Sequence, residues 1–216
     1  VKFIPFVRAF FVCNQIQIGV NQKSDIDALI LVKEGRLFFV RFFVTLVLSL
    51  FCLRRSRRRV MDQICLSFYL GDKHLNFSPL IISKIDIYFI FWLAMLIPLY
   101  DPNDALTEMR QKNSWAMEFL PNAVNKFSSS TRWATSDAQF FRKLKSRVEK
   151  WLSGHFGDRL EALTKKIQLK HMKASRYKLS PKQSSQVIIN DSILKFHEND
   201  RRALFRDEWL RRCQNI

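Results

Sequence analysis

The chain has 216 residues, a formal net charge of +17 and a hydrophobic content of 48%, with 20 phenylalanines. This composition excludes an intrinsically disordered protein, and the length suffices for a domain with a sizeable core. The 4 cysteines show no C-x-x-C spacing and no pairing with histidine, which argues against a zinc site or a disulfide framework. A reducing, cytoplasmic setting fits this cysteine usage.

The positive charge is concentrated in the second half of the chain. Residues 1–108 carry 13 Lys and Arg against 9 Asp and Glu, whereas residues 109–216 carry 23 against 10. An excess of this size favours a polyanionic partner, either a nucleic acid or an anionic membrane surface. The alternative is a solvated basic surface that only keeps the protein soluble.

The first two predicted elements are strands, and a pair of acids opens the second. Residues 7–13 read as a buried strand, a polar connection follows, and Ser24-Asp25-Ile26-Asp27 then leads into the apolar run 28–32. Because side chains alternate faces along a strand, Asp25 and Asp27 share one face. Two like charges this close call for a cation, and Mg²⁺ prefers carboxylate oxygens. We therefore predict a metal site, with a solvated pair of turn residues as the alternative.

This arrangement resembles the nucleotidyltransferase superfamily, typified by DNA polymerase beta and the small antibiotic-modifying nucleotidyltransferases. That family has a strand ending in Gly-Ser, a connection, and a hydrophobic-flanked Asp-x-Asp. Here Asp25 and Asp27 match the acids, and Asn14-Gln15 stands at the Gly-Ser position. The resemblance extends from Phe6 to about Leu70.

The resemblance implies an α+β fold, with a nucleotidyltransferase-type mixed β-sheet flanked by helices. It implies transfer of a nucleoside monophosphate from a nucleoside triphosphate (NTP) to an acceptor hydroxyl. In the family two Mg²⁺ ions support this reaction, held by the paired acids and a third carboxylate from a later strand. Asp62 is our candidate for this third ligand and for the general base, although a plain strand-entry role explains it equally well.

The resemblance also gives candidates for nucleotide contacts. Asn14, Gln15 and Ser24 lie where the family holds phosphates, and Lys33 and Arg36 follow directly after the second strand. Since Asn14-Gln15 replaces Gly-Ser, one alternative is a catalytically degenerate fold that binds nucleic acid or another partner. A second alternative is a membrane-surface protein that uses apolar helices and the basic run 54–59.

The middle of the chain contains two long apolar segments. Residues 36–53 predict a buried helix, since the uncharged stretch is shorter than the about 20 residues that span a bilayer. Residues 54–59 predict an exposed loop, and 63–70 a third strand. Residues 85–100 form the second apolar segment, for which we predict a core position and an end at Pro98.

The second half predicts a basic, mostly helical region. Apolar residues recur at helical spacing over 140–152, preceded by Ser136-Asp137 as a cap. Another helix is expected from Asp158, with Leu160, Leu163 and Ile167 inside and lysines outside. A short strand at 184–189 and a terminal helix at 201–213 complete the prediction. We place the boundary near 128–131, which gives a core of 1–127 and a basic region of 128–216.

Overall fold

The computed structural model describes residues 1–13, 24–56, 58–120, 135, 139–174, 187–196 and 201–214. Within these residues the chain forms a mixed α+β structure around a six-stranded sheet of order β4-β1-β2-β3-β6-β5. The strands are Val7–Cys13 (β1), Ile26–Val32 (β2), Ile64–Gly71 (β3), Ile97–Tyr100 (β4), Val187–Ile189 (β5) and Ile193–Phe196 (β6).

Helices flank the sheet, together with a short 3₁₀ turn at Ser78–Leu80. The helices are Leu37–Leu50 (α1), Ile87–Ala94 (α2), Ala105–Lys112 (α3), Ser114–Phe119 (α4), Gln139–Trp151 (α5), His155–Ala174 (α6) and Arg202–Cys213 (α7). None of the helices in the described ranges has the length and hydropathy needed to cross a membrane.

The sheet is mixed because of how α1 connects two of its strands. β1 and β2 pair antiparallel, whereas β2 and β3 pair parallel. A parallel pair needs a crossover connection, which α1 supplies. As a result, the C-terminal end of β1 lies beside the N-terminal ends of β2 and β3.

Strand β2 is buried on both faces of the sheet. Leu29 and Leu31 pack in the core that contains Phe77 and Trp92, which we call the α2 face. The alternate residues of β2 pack in the core formed with α1, the α1 face. Burial on both sides explains the uninterrupted apolar run of this strand.

The predicted first strand, second strand, first helix and third strand are confirmed, with shifts of a few residues at their ends. The prediction for residues 85–100 was wrong in one respect, because the structure divides them into α2 and β4 and places Pro98 inside β4. Pro98 lies opposite Phe11 of β1, and β4 is an edge strand. An edge strand tolerates proline because one side of its backbone has no ladder to complete.

Helices α5 and α6 are confirmed, and Leu160 packs against the core as predicted, but the prediction was wrong for Leu163 and Ile167. Leu163 and Ile167 are 53% and 47% exposed. The inner face instead carries Glu161, which accepts hydrogen bonds from the backbone N–H groups of Phe38 (2.9 Å) and Phe39 (2.8 Å). These N–H groups belong to the first turn of α1 and have no partner inside that helix. The need to satisfy them determines which face of α6 is buried.

The sheet continues into the second half of the chain, since β6 pairs with β3 and β5 pairs with β6. The proposed boundary at 128–131, the cap at Ser136-Asp137 and residues 184–186 of the predicted strand lie outside the described residues. Helix α7 begins and ends within one residue of its predicted bounds.

A buried ion pair holds α7 against the rest of the domain. Arg202 Nη1 lies 2.8 Å from Asp86 Oδ2, and both side chains are almost completely buried. Asp86 also caps α2 by accepting a hydrogen bond from the backbone N–H of Phe89. Loss of one partner would therefore leave an uncompensated charge in the core.

We expect Arg202→Met to lower the free energy of unfolding by about 3–5 kcal/mol, because it leaves the Asp86 carboxylate buried without its partner. Urea unfolding followed by circular dichroism measures this change. Arg211→Met in the same helix is the control, since Arg211 pairs with Glu208 at an exposed surface. An equal loss of stability in both variants would contradict the assignment.

Candidate metal centre

Asp25 and Asp27 lie at the start of β2, next to the point where β1 ends and β3 begins. In the strand register Asp27 lies opposite Cys13 of β1 and opposite Cys65 of β3. Directly paired residues on neighbouring strands share a face of the sheet. Asp27 is two residues before Leu29 in β2 and therefore shares its face, which is the α2 face.

Three potential ligands come together here. Asp25, Asp27 and Cys65 each offer one ligand atom, and these atoms all lie within 4.8 Å of one another. We call these three residues the Asp-Asp-Cys group. The two carboxylates are partly buried, and the Cys65 thiol is also partly buried. The structure therefore places the two carboxylates close together, as expected from the sequence, and it adds a sulfur that the sequence pattern did not suggest.

The electrostatics of the group favour a cation. Burial, together with the charge of Asp25, raises the pKa of Asp27 from its ordinary value of 3.8 to about 6. Burial and the charge of Asp27 raise the pKa of Cys65 to about 11. The shift at Asp27 reflects a carboxylate held partly away from water beside a second one, and the shift at Cys65 keeps the thiol protonated next to them. A cation placed among these atoms would relieve that repulsion.

Arg55 supplies positive charge to the group in this structure. Its Nη1 atom lies 2.8 Å from Asp25 Oδ2 and 3.5 Å from Cys65 Sγ. The contact with Asp25 is an ion pair without hydrogen-bond geometry, and Asp25 Oδ2 is buried with no hydrogen-bond partner among the described residues. The guanidinium thus offsets the charge of Asp25 in this structure, and a ligand at Oδ2 would have to displace it.

The structure does not bring Asp62 into this group. Asp62 is exposed and adopts a left-handed backbone conformation (φ 57°), and its backbone N–H donates to the carbonyl of Ser24 at 3.2 Å. Its carboxylate is not among the three clustered ligands. Cys65, three residues further along, takes the place expected for a third ligand. Ser24 remains next to the pair, while Asn14 and Gln15 lie outside the described residues.

Lys33 and Arg36 lie at the opposite end of β2 from the acids. At a rise of about 3.3 Å per residue, the Cα atoms of Asp27 and Lys33 are about 20 Å apart. Arg36 instead bonds to Asp158 (2.6 Å) and to the carbonyl of Leu152 (3.2 Å). These two basic residues are therefore not placed to contact a triphosphate bound at the acids, and Arg36 serves to hold α5 and α6.

Sequence reasoning missed Cys65 and Arg55 for different reasons. Cys65 belongs to no spacing motif, because its neighbours in the group come from another strand. Arg55 was one of several arginines in a run that predicts an exposed loop. Its backbone N–H bonds to the carbonyl of Ile64 at 3.0 Å, which turns it back towards β3. The assignment of Cys65 depends on the pairing of β2 with β3, and that of Arg55 on its backbone contact with β3.

Comparison with protein-family models, with curated proteins and with solved structures gives no significant match. The chemistry of this centre is therefore inferred from its own residues.

The raised pKa of Asp27 makes stability depend on pH. Between about pH 4 and pH 6 the folded state keeps a proton that the unfolded chain has lost, so the free energy of unfolding falls as pH rises through this window. Asn cannot ionise, and we expect Asp27→Asn to be more stable than the native chain by about 1–3 kcal/mol at pH 8, with no difference below pH 4.

Urea unfolding at a series of pH values, with a chelator present, measures this difference. Asp62→Asn is the matched control, because this carboxylate is exposed and outside the group. A constant difference between Asp27→Asn and the native chain at all pH values would contradict the electrostatic account.

Proposed function

We propose that this chain is a nucleotidyltransferase-type protein that binds a divalent cation and an NTP at Asp25 and Asp27. The reaction would transfer a nucleoside monophosphate to an acceptor hydroxyl. The observation that carries the proposal is the pair of carboxylates at the start of β2, whose ligand atoms lie within 4.8 Å of each other.

The topology around the pair is compatible with this proposal. The acids lie at the start of β2, which pairs antiparallel with β1 on one side and parallel with β3 on the other, in a mixed sheet flanked by helices. The resemblance at Asp25 and Asp27 implies a mixed sheet of this kind. The connection that would carry the phosphate-holding residues leaves β1 at Cys13, the residue opposite Asp27.

The donor set fits a divalent cation. Mg²⁺ is commonly bound by one or two carboxylates together with substrate phosphates, and Asp25 and Asp27 supply two carboxylates within reach of each other. Such an ion, when bound, polarises a phosphoryl oxygen and stabilises the charge that develops on it. Arg55 is the guanidinium beside the pair, and its planar group suits a phosphate oxygen.

We expect Asp25→Asn and Asp27→Asn each to weaken Mg²⁺-dependent NTP binding by at least about tenfold, because each removes a charged ligand. Isothermal calorimetry with and without Mg²⁺ measures the effect. Asp62→Asn is the matched control and should bind as the native chain does. Unchanged Mg²⁺-dependent binding in Asp25→Asn would contradict the proposal.

A second candidate is a catalytically degenerate member of the same fold that binds nucleic acid. The observation that favours it is the ion pair between Arg55 and Asp25, in which the protein provides its own cation at the acids. Helix α5 offers a binding surface, which we call the α5 surface. Its exposed residues combine bases with aromatic rings and comprise Phe140, Phe141, Arg142, Lys143, Arg147, Lys150 and Trp151.

This second candidate predicts salt-sensitive binding of single-stranded RNA or DNA that needs neither Mg²⁺ nor NTP. Arg142→Glu with Arg147→Glu should reduce the slope of log affinity against log salt by about two, one for each lost phosphate contact. Fluorescence anisotropy with a labelled oligonucleotide measures the slope. Lys112→Glu, an exposed lysine on α3, is the control. Binding that is independent of salt would reject this candidate.

A further inference from the structure

The third member of the Asp-Asp-Cys group has a chemistry different from that of the carboxylates. We propose that Cys65 is a metal ligand, and that the centre therefore binds a thiophilic divalent cation of the Zn²⁺ class more tightly than Mg²⁺. This inference rests on the proposed function, since it requires a cation site at Asp25 and Asp27.

The backbone fixes the position of Cys65 relative to the acids. Asp27 and Cys65 are register partners on adjacent parallel strands. The backbone N–H of Ile26 donates to the carbonyl of Gln63 at 2.9 Å, so the ladder is regular before the pair, and the register shifts after it, between Asp27 and Leu29. Ligands on paired strands are held more firmly than ligands on loops. The strand register therefore places the sulfur of Cys65 beside the carboxylate of Asp27.

A single cationic group already contacts both kinds of ligand. Arg55 Nη1 is 2.8 Å from Asp25 Oδ2 and 3.5 Å from Cys65 Sγ. This shared contact is independent of the strand register, because Arg55 comes from the segment between α1 and β3. It identifies one position from which positive charge reaches the carboxylate and the sulfur together.

The ligand chemistry then determines which metal is preferred. Zn²⁺ binds cysteine sulfur at about 2.3 Å and carboxylate oxygen at about 2.0–2.2 Å, and catalytic zinc sites use three protein ligands with one open position. Ligand atoms around such an ion are about 3.5 Å apart, so a group within 4.8 Å needs small rotations of its side chains and the displacement of Arg55. Mg²⁺ takes oxygen ligands and gains nothing from a thiolate.

The other three cysteines provide the controls. Cys13 lies opposite Asp27 on β1 but is buried and is not a member of the group. Cys52 and Cys213 are exposed and would bind a thiophilic metal at the surface. A Cys52→Ser/Cys213→Ser background removes that surface binding and leaves the two cysteines that flank Asp27.

The experiment is a titration of the full chain in this background with Cd²⁺, followed by the ultraviolet charge-transfer absorption of the sulfur–cadmium bond. We expect a band that saturates at one equivalent, is lost in Cys65→Ser and is kept in Cys13→Ser. By competition with Zn²⁺, Cys65→Ser should weaken Zn²⁺ binding by at least about tenfold, with Mg²⁺ binding unchanged.

Two further variants distinguish loss of the sulfur ligand from misfolding of the chain. Cys65→Ala should also lose the band, and Cys65→Asp should lose the band while it gains Mg²⁺ affinity, because it supplies a third oxygen ligand. Circular dichroism establishes that each variant is folded. A folded Cys65→Asp variant that keeps the band would overturn the inference.

The outcomes separate this inference from the proposed function. A band that survives in Cys65→Ser, or the absence of any band while Mg²⁺-dependent NTP binding persists, overturns the role of Cys65 and leaves the proposed function standing. A Cys65-dependent band in a protein that binds no NTP supports the metal ligand and contradicts the proposed function alone.

Discussion

The parallel pairing of β2 with β3 is the constraint on which the rest of this structure depends. It requires a crossover, which α1 provides, and it buries β2 between two apolar cores. The same pairing sets Asp27 beside Cys65, and a backbone hydrogen bond from Arg55 to Ile64 of β3 holds Arg55 near the acids. The candidate centre is thus a direct consequence of the strand register, because a slip of one residue would place these side chains on the other face.

Polar contacts help to attach the basic helices α5 and α6 to the rest of the domain. Glu161 of α6 satisfies the first-turn N–H groups of α1, and Arg36 reaches the carbonyl at the end of α5. In α5, Glu149 accepts hydrogen bonds from Arg8 and from the backbone N–H of Phe6. Because these contacts use charged residues on the inner faces, aromatic residues such as Trp151 remain outside. This explains an exposed surface that is both basic and aromatic.

At the centre itself, the two candidate functions differ in which cation offsets the charge of the acids. The acids repel each other in a partly dry position, and either a metal ion or Arg55 can offset that repulsion. A guanidinium on a flexible stem is readily replaced by a divalent ion, because a partly exposed ion pair contributes only about 0–1 kcal/mol. The presence of Arg55 is therefore compatible with a metal site. In a degenerate protein without a bound metal, the same guanidinium would offset the charge of the acids.

The sequence by itself determined the strands β1, β2 and β3, the helix between them and the shared face of Asp25 and Asp27, since these follow from local periodicity and the alternation of side chains. Only the tertiary structure decided that Cys65, and not Asp62, joins the acids, and that Lys33 and Arg36 do not. It also decided which face of α6 is buried. These outcomes depend on pairing between residues distant in sequence, where the hydrogen-bond needs of α1 and the register of β3 outweigh local pattern.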